Sequence, residues 1–224
     1  MFYREGNNMK NNDYLDNLDE LIIRYPKLVD IKSNILDAFN LMRNSVDKGG
    51  KIIVGGNGGS AADSDHIVGE LVKGFRKIRA LDSEQTNKLL EIDSDIGSEL
   101  ASNLQQGIPA ISLSDHTALS TAFLNDVNGA LSFAQQMNVY GNENDVFLAI
   151  TTSGNSKNII YAAVVAKSKQ IPVICLTGNN EGKMSQFSDV TISAPEDETF
   201  KIQEYHLPIY HCLCLMLEDF YYER

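Results

Sequence analysis

His66 and Glu70 stand four residues apart, just after the glycine-rich run Gly55-Gly56-Asn57-Gly58-Gly59-Ser60. On a helix, positions i and i+4 share one face, so this imidazole and this carboxylate can address the same atom. Such a pair suits general acid/base work or a share in a metal site. Gln203 and His211 form a second pair late in the chain, eight residues apart, just over two helical turns. Together His66, Glu70, Gln203 and His211 offer two imidazoles, a carboxylate and an amide carbonyl. That set suits a zinc-like divalent ion with one position left open. The spacing is not diagnostic by itself, because a lone histidine on a helix is more often structural than a ligand. Pro208 falls between Gln203 and His211. Inside a helix it would remove the hydrogen bond to the Glu204 carbonyl, so the helix is expected to kink there or to start late. A kink would re-aim Gln203 relative to His211.

The run Thr151-Thr152-Ser153-Gly154-Asn155-Ser156 carries hydroxyls at Thr151, Thr152, Ser153 and Ser156 and precedes an Ala/Val-rich helical stretch. Several neutral donors beside a helix N-terminus are what a phosphate needs. The plainer reading is an N-cap in which Ser156 satisfies the first turn. A second Gly/Ser loop at another strand end tips the balance towards phosphate. Cys175, Cys212 and Cys214 lie in apolar contexts with no zinc-like spacing and read as reduced core thiols of a cytosolic protein.

These residues need elements to hold them. Lys51 to Val54 reads as a buried strand feeding the glycine loop, with a helix from Ala61 to about Phe75. Ile108 to Leu113, Asp145 to Ile150, Ile171 to Leu176 and Val190 to Ser193 read as four more short strands. Helical spacing of apolar residues runs over Asp13–Arg24, Leu28–Asp47, Ala118–Asn125, Leu131–Tyr140, Lys157–Lys169 and about Phe200 to Tyr222. Strands alternating with helices predict an α/β fold, a parallel sheet covered on both faces. Ligands then sit beyond the carboxyl ends of the strands, where both loops fall. The stretch from Leu81 to Leu104 reads as one helix or a broken pair, largely solvated. It is either a surface insertion or a lid or subunit contact.

At 43% hydrophobic residues the chain can bury a proper core. No run of apolar residues is long enough to span a membrane, and residues 1–14 are polar, without the apolar stretch of a secretory signal. A net charge of −11 argues against nucleic-acid binding. It leaves room for a small phosphorylated ligand held by backbone N–H groups.

Four stretches, GGNGGSAADSDHIVGEL, ITTSGNSKNII, LTGNNEGKM and KIQEYHLPIYH, resemble in order and spacing the sugar isomerase (SIS) domain family, and within it the phosphoheptose isomerases. The resemblance implies a flavodoxin-like three-layer α/β sandwich with a central five-stranded parallel sheet. It places the SIS domain at 28–224, with residues 1–27 as an N-terminal helical extension and a helical insertion at about 76–107. It further implies a homotetramer with active sites built from neighbouring subunits. The implied reaction interconverts sedoheptulose 7-phosphate and glycero-manno-heptose 7-phosphate, towards nucleotide-activated heptose for lipopolysaccharide or capsule. Carried over by position, Thr151, Thr152, Ser153 and Ser156 hold the phosphate. Asn57, Gly58, Gly59 and Ser60 line the sugar, and Asp126 and Gln203 stand near the substrate. Glu70 and His211 are the acid/base pair, and His66, Glu70, Gln203 and His211 hold zinc. Three features depart from the family pattern. Phe200 stands where an acidic residue is common, the segment between Phe75 and Ile108 is longer than usual, and His116 replaces a small polar residue. They leave open another phosphorylated ketose as substrate. A non-catalytic relative that binds the bacterial replication initiator is the other alternative, and the presence of both Glu70 and His211 favours the enzyme.

Overall fold

The computed structural model describes residues 13–222; the polar tail expected over residues 1–12 lies outside them. In chain order the structure runs α1 (Asp13–Arg24), a 3-10 turn (Pro26–Ile31), α2 (Lys32–Asp47), β1 (Ile52–Gly55), α3 (Gly59–Val72), α4 (Ser83–Ile92) and α5 (Ser94–Asn103). It continues through β2 (Ala110–Ser112), α6 (Thr117–Asp126), α7 (Ser132–Tyr140), β3 (Val146–Ile150), α8 (Lys157–Ser168), β4 (Val173–Thr177), β5 (Val190–Ser193) and α9 (Thr199–Tyr221).

The five strands form one parallel sheet in the order β2-β1-β3-β4-β5, the flavodoxin-like order. Side chains alternate across each strand, and here the alternation divides the core in two. Ile52, Val54, Val146, Leu148, Ile150, Ile174, Leu176 and Ile192 face α1, α2, α3 and α9. Ile53, Phe147, Ala149, Val173 and Cys175 face α7 and α8. Full burial of β1, β3 and β4 explains why they read as unbroken apolar runs. The expected three-layer architecture is therefore present. All three cysteines are buried and free. Burial pushes the Cys175 and Cys212 thiols up to about 12, as inert core thiols require.

Several boundaries differ from the sequence expectation for local reasons. The predicted helix from Leu28 begins as a 3-10 turn with Pro26 at its start and becomes α-helical only at Lys32. The helix expected from Ala61 to Phe75 starts earlier, at Gly59, and stops at Val72. Its end is set by the backbone N–H groups of Phe75 and Arg76, each of which donates to the Glu218 carboxylate at 2.9 Å. The 81–104 stretch is a broken pair. Asp93 ends α4, and its carboxylate accepts from the N–H groups of Asp95 and Ile96 to start α5. This hairpin leaves and returns on one stem, with Ala80 bridged to Gln105 and the Gln106 N–H on the Arg79 carbonyl. α9 is one helix with Pro208 inside it, Thr199–Tyr221, so of the two expected outcomes the late start does not occur. Among the described residues no helix is long and apolar enough to cross a membrane.

Candidate active site

The strand order reverses between β1 and β3. The chain leaves β1 to pair β2 on one side, while β3 and β4 continue on the other. Loops leaving two such strands diverge and open a crevice at their carboxyl ends. Both sequence-predicted loops stand there. They are also tied together, since Asn57 and Asn158 exchange amide hydrogen bonds of 2.9 and 2.8 Å across the gap.

The first loop is shaped by its glycines. Gly58 holds φ 57° and ψ −119°, a backbone conformation that side-chain-bearing residues avoid. A Cβ on Gly56 would meet the Ser60 carbonyl oxygen at 2.2 Å, so the loop folds closely on itself. Asn57, Gly58 and Gly59 are exposed to the crevice, whereas Ser60 is buried.

The second loop separates into an inner and an outer part. Thr151 is buried, and its hydroxyl lies 3.0 Å from that of Ser156, so these two hydroxyls brace the turn. Gly154 turns the chain with φ 62°. Thr152 and Ser153 face a cavity of about 200 Å³ shared with Asn155, Asn180, Asp197, Thr199 and Ile202. Asn155, Asn180 and Thr199 were not singled out from the sequence, although Asn155 lies in the loop itself and Asn180 in the LTGNNEGKM stretch.

The chemistry-bearing side chains lie where α3 and α9 pack together in parallel. Gly59, at the start of α3, sits against Gln203. A Cβ there would come within 2.6 Å of Gln203 Nε2. Seven residues further along α3 and eight along α9, the rings of His66 and His211 meet at 5.0 Å. The two helices thus form a ladder whose rungs are about 10–12 Å apart. His66 Nε2 lies 3.2 Å from Glu70 Oε1, and its Nδ1 lies 3.0 Å from the Tyr210 hydroxyl. That hydroxyl donates to Asp63 Oδ1 at 3.2 Å. Burial raises the Asp63 carboxyl above the usual carboxylate range, against the pull of the Tyr210 hydrogen bond. Burial and the neighbouring His66 ring hold His211 below the usual imidazole range, so it is neutral at pH 7.

His211 Nε2 is buried without a hydrogen-bond partner. A bare Nε2 lone pair there would suit a divalent ion, as an N–H would not. The described residues do not gather three His, Cys, Asp or Glu side chains into a ligand shell. The structure sets His66 beside both Glu70 and His211 and keeps Gln203 against Gly59 of the first loop, one rung away.

Three further residues fall outside this cluster. Asp126 is exposed at the end of α6, hydrogen-bonded to its neighbour Asn125 at 2.7 Å, and one chain does not carry it to either loop. His206 is buried with Nε2 3.2 Å from the Thr177 carbonyl oxygen, a core histidine. His116 packs its ring near Tyr140, on the α7 side.

Two residues that sequence reasoning missed hold α3 in place. Arg79 is buried and donates to the Leu71 and Glu70 carbonyls at 2.7 and 3.3 Å, capping the end of the helix. Glu218 of α9, also buried, accepts from Arg79 Nε at 3.0 Å.

The sheet order, the paired loops at its switch point and the imidazole–carboxylate cluster define an SIS-type α/β protein, and the SIS domain family matches residues 108–216. A phosphoheptose isomerase from Aneurinibacillus thermoaerophilus is 37% identical over 171 residues, covering 76% of this chain and 73% of that protein. One from Leptospira biflexa is 34% identical over 200 residues, covering 89% and 90%. Among experimental structures, a phosphoheptose isomerase from Francisella tularensis superposes with TM-score 0.70 at 30% identity, covering 92% of this chain and 95% of that one. The enzyme from Neisseria gonorrhoeae gives 0.67 at 28%, covering 90% and 94%. The chain belongs to the phosphoheptose isomerase family.

Proposed function

We propose that this protein is a phosphosugar isomerase that interconverts sedoheptulose 7-phosphate and glycero-manno-heptose 7-phosphate through an enediol. The observation that carries the reading is the meeting of Glu70 and His211 around His66, next to two donor-rich loops at the sheet's switch point. Moving a carbonyl between C1 and C2 requires a proton to leave one carbon and reach its neighbour. Glu70, largely shielded beside His66, is the carboxylate that shuttles it. Neutral His211 moves the second proton between the two oxygens. Thr152 and Ser153, with the backbone of the second loop and the N-terminus of α8, hold the phosphate, while Thr151 and Ser156 keep that loop in shape. Asn57, Gly58 and Gly59 form the floor for the sugar, and Gln203 lies against them.

A zinc ion held by His66, Glu70 and His211 would polarise the substrate carbonyl; Gln203, one rung away against Gly59, is left to the first loop. We also place the enzyme in a homotetramer in the cytoplasm, on the route to activated heptose. Asp126, which one chain leaves outside the site, then reaches substrate across a subunit boundary.

The test is Glu70→Gln, which keeps shape and removes the base. Turnover of sedoheptulose 7-phosphate should fall about 10²–10⁴-fold with an unchanged circular dichroism spectrum. Undiminished turnover would remove Glu70 from its role. A parallel screen of seven-, six- and five-carbon ketose phosphates decides the substrate, and metal analysis with and without chelator decides the zinc.

A further inference from the structure

The hydrogen bonds around His66 have a direction, and that direction can be worked out from donor chemistry. Asp63 presents Oδ1 to Tyr210 as an acceptor, a role open to a carboxylate oxygen and to the bare oxygen of the acid alike, so the raised carboxyl does not reverse it. The Tyr210 hydroxyl therefore spends its one proton on Asp63, at 3.2 Å. Its oxygen is left as an acceptor for the other neighbour, His66 Nδ1, at 3.0 Å. Nδ1 must then carry the imidazole proton. In a neutral ring this leaves Nε2 with a bare lone pair, and Nε2 points at Glu70 Oε1 from 3.2 Å. Two acceptors then face each other, while the Lys73 ammonium stands at the other carboxylate oxygen, 3.4 Å from Glu70 Oε2. The contact is unfavourable unless a cation or a transferred proton lies between Nε2 and Oε1.

We propose that Tyr210 and Asp63 are positioning residues that hold His66 in the tautomer protonated on Nδ1, so that its Nε2 lone pair is presented to Glu70 Oε1. The geometry supports this in three ways. Tyr210 is buried, so its hydroxyl has little water to turn to. The His66 ring stands edge-on to Tyr210, with centroids 5.6 Å apart, which limits rotation about its Cβ–Cγ bond. Asp63 and His66 are three residues apart on α3, while Tyr210 and His211 are adjacent on α9. The same helix contact therefore sets both the relay and the cluster. A carboxylate acting through one hydroxyl does here what a direct carboxylate–histidine contact does elsewhere in fixing the orientation of an imidazole. The catalytic part of this inference rests on the isomerase reading; the tautomer part stands without it.

The experiment is nitrogen-15 spectroscopy of histidine-labelled, chelator-treated full-length protein at about pH 8.5, where imidazoles are neutral. The His66 signal is assigned by its loss in His66→Gln. In the unmodified protein Nδ1 should read as protonated and Nε2 as bare. Tyr210→Phe removes the acceptor, and Asp63→Ala frees the Tyr210 proton to donate to Nδ1. In both variants the His66 proton should move to Nε2, where it can donate to Glu70. With sedoheptulose 7-phosphate, kcat should fall about tenfold, at the lower end of the effect of losing such a partner, while KM stays within about twofold. A proton on Nε2 in the unmodified protein overturns the proposal, as does a tautomer unmoved in both variants. A moved tautomer with unchanged kcat overturns the positioning role. If the unmodified protein turns over no ketose phosphate, the isomerase reading fails and the spectroscopic arm alone decides the tautomer.

Discussion

Replacing Gly59 with alanine separates the fold from the site more cleanly than any loss of a side chain. The new Cβ would stand 2.6 Å from Gln203 Nε2, 3.1 Å from its Cδ and 3.2 Å from its Oε1. Ordinary contact needs about 3.5 Å, so the amide must retreat by roughly 1 Å. It is the far end of a flexible side chain, and the retreat asks for a torsion change, with no shift of backbone. Gly59 begins α3 with no positive φ, so alanine brings a helix-propensity gain of up to about 1 kcal/mol. Stability should thus stay within about 1 kcal/mol of the parent. Activity should not. Losing one neutral hydrogen bond to substrate is worth about 0.5–1.5 kcal/mol, or roughly 2–12-fold in kcat/KM, and a 1 Å misplacement near the reacting atoms can approach 10²-fold. The assay pairs steady-state kinetics on sedoheptulose 7-phosphate with a thermal melt. Gly69→Ala is the control, because it lies on the same helix and its Cβ would meet nothing within 4 Å. If Gly59→Ala and Gly69→Ala give the same kcat/KM, the packing of Gln203 on the sugar loop has no part in function.

Two further outcomes follow from groups buried behind the site. Glu218→Gln should destabilise the protein by about 3–5 kcal/mol in urea denaturation, because Glu218 answers both Arg79 and the N–H groups of Phe75 and Arg76 with no exposure to water; a loss below about 1 kcal/mol would refute that bracing role. Burial holds His206 down at about 4 against an ordinary 6.5. Its neutral form therefore stabilises the fold fully above pH 6.5, and the unfolded chain takes up the proton first as pH falls. About 3 kcal/mol should be lost between pH 6.5 and 4. His206→Gln should flatten the stability profile in that window, and an unchanged profile would show that His206 does not titrate there.

Much of this site could be read in the chain before any coordinates. β1, β3 and β4 are apolar runs ended by a glycine or hydroxyl loop, and a parallel sheet puts such loops at one edge, so the crevice followed from local pattern. His66 and Glu70 followed from helical spacing. What could not be read was which hydroxyls face inward. Thr151 and Thr152 are identical in type and adjacent in sequence, yet one braces the turn and the other lines the cavity. That division is made by the turn at Gly154, through packing against Glu181, a residue from a different loop. Arg79 was invisible for a similar reason. A lone arginine in a polar segment reads as solvated, and only the return of α9, some 139 residues later, supplies the carboxylate that buries it. Tyr210 carries no signal of its own in the sequence beyond its place next to His211. Asp63, three residues before His66 on the same helix, was the available signal for the relay.

α9 explains why these separate devices work as one. From its first turns to its last it supplies Gln203 to the first glycine loop, Tyr210 and His211 to the cluster around His66, and Glu218 to Arg79. Arg79 in turn holds the carbonyls at the end of α3, one of them that of Glu70 itself. The carboxylate assigned to the proton shuttle is therefore fixed from both ends of its helix, by the glycine loop at the start and a buried ion pair at the finish. The α4–α5 hairpin leaves from that same stem, directly after Arg79 and Ala80, and buries none of its own large apolar side chains. The end of α3 that carries Glu70 is thus braced by a buried ion pair, next to the point where the α4–α5 hairpin leaves and returns.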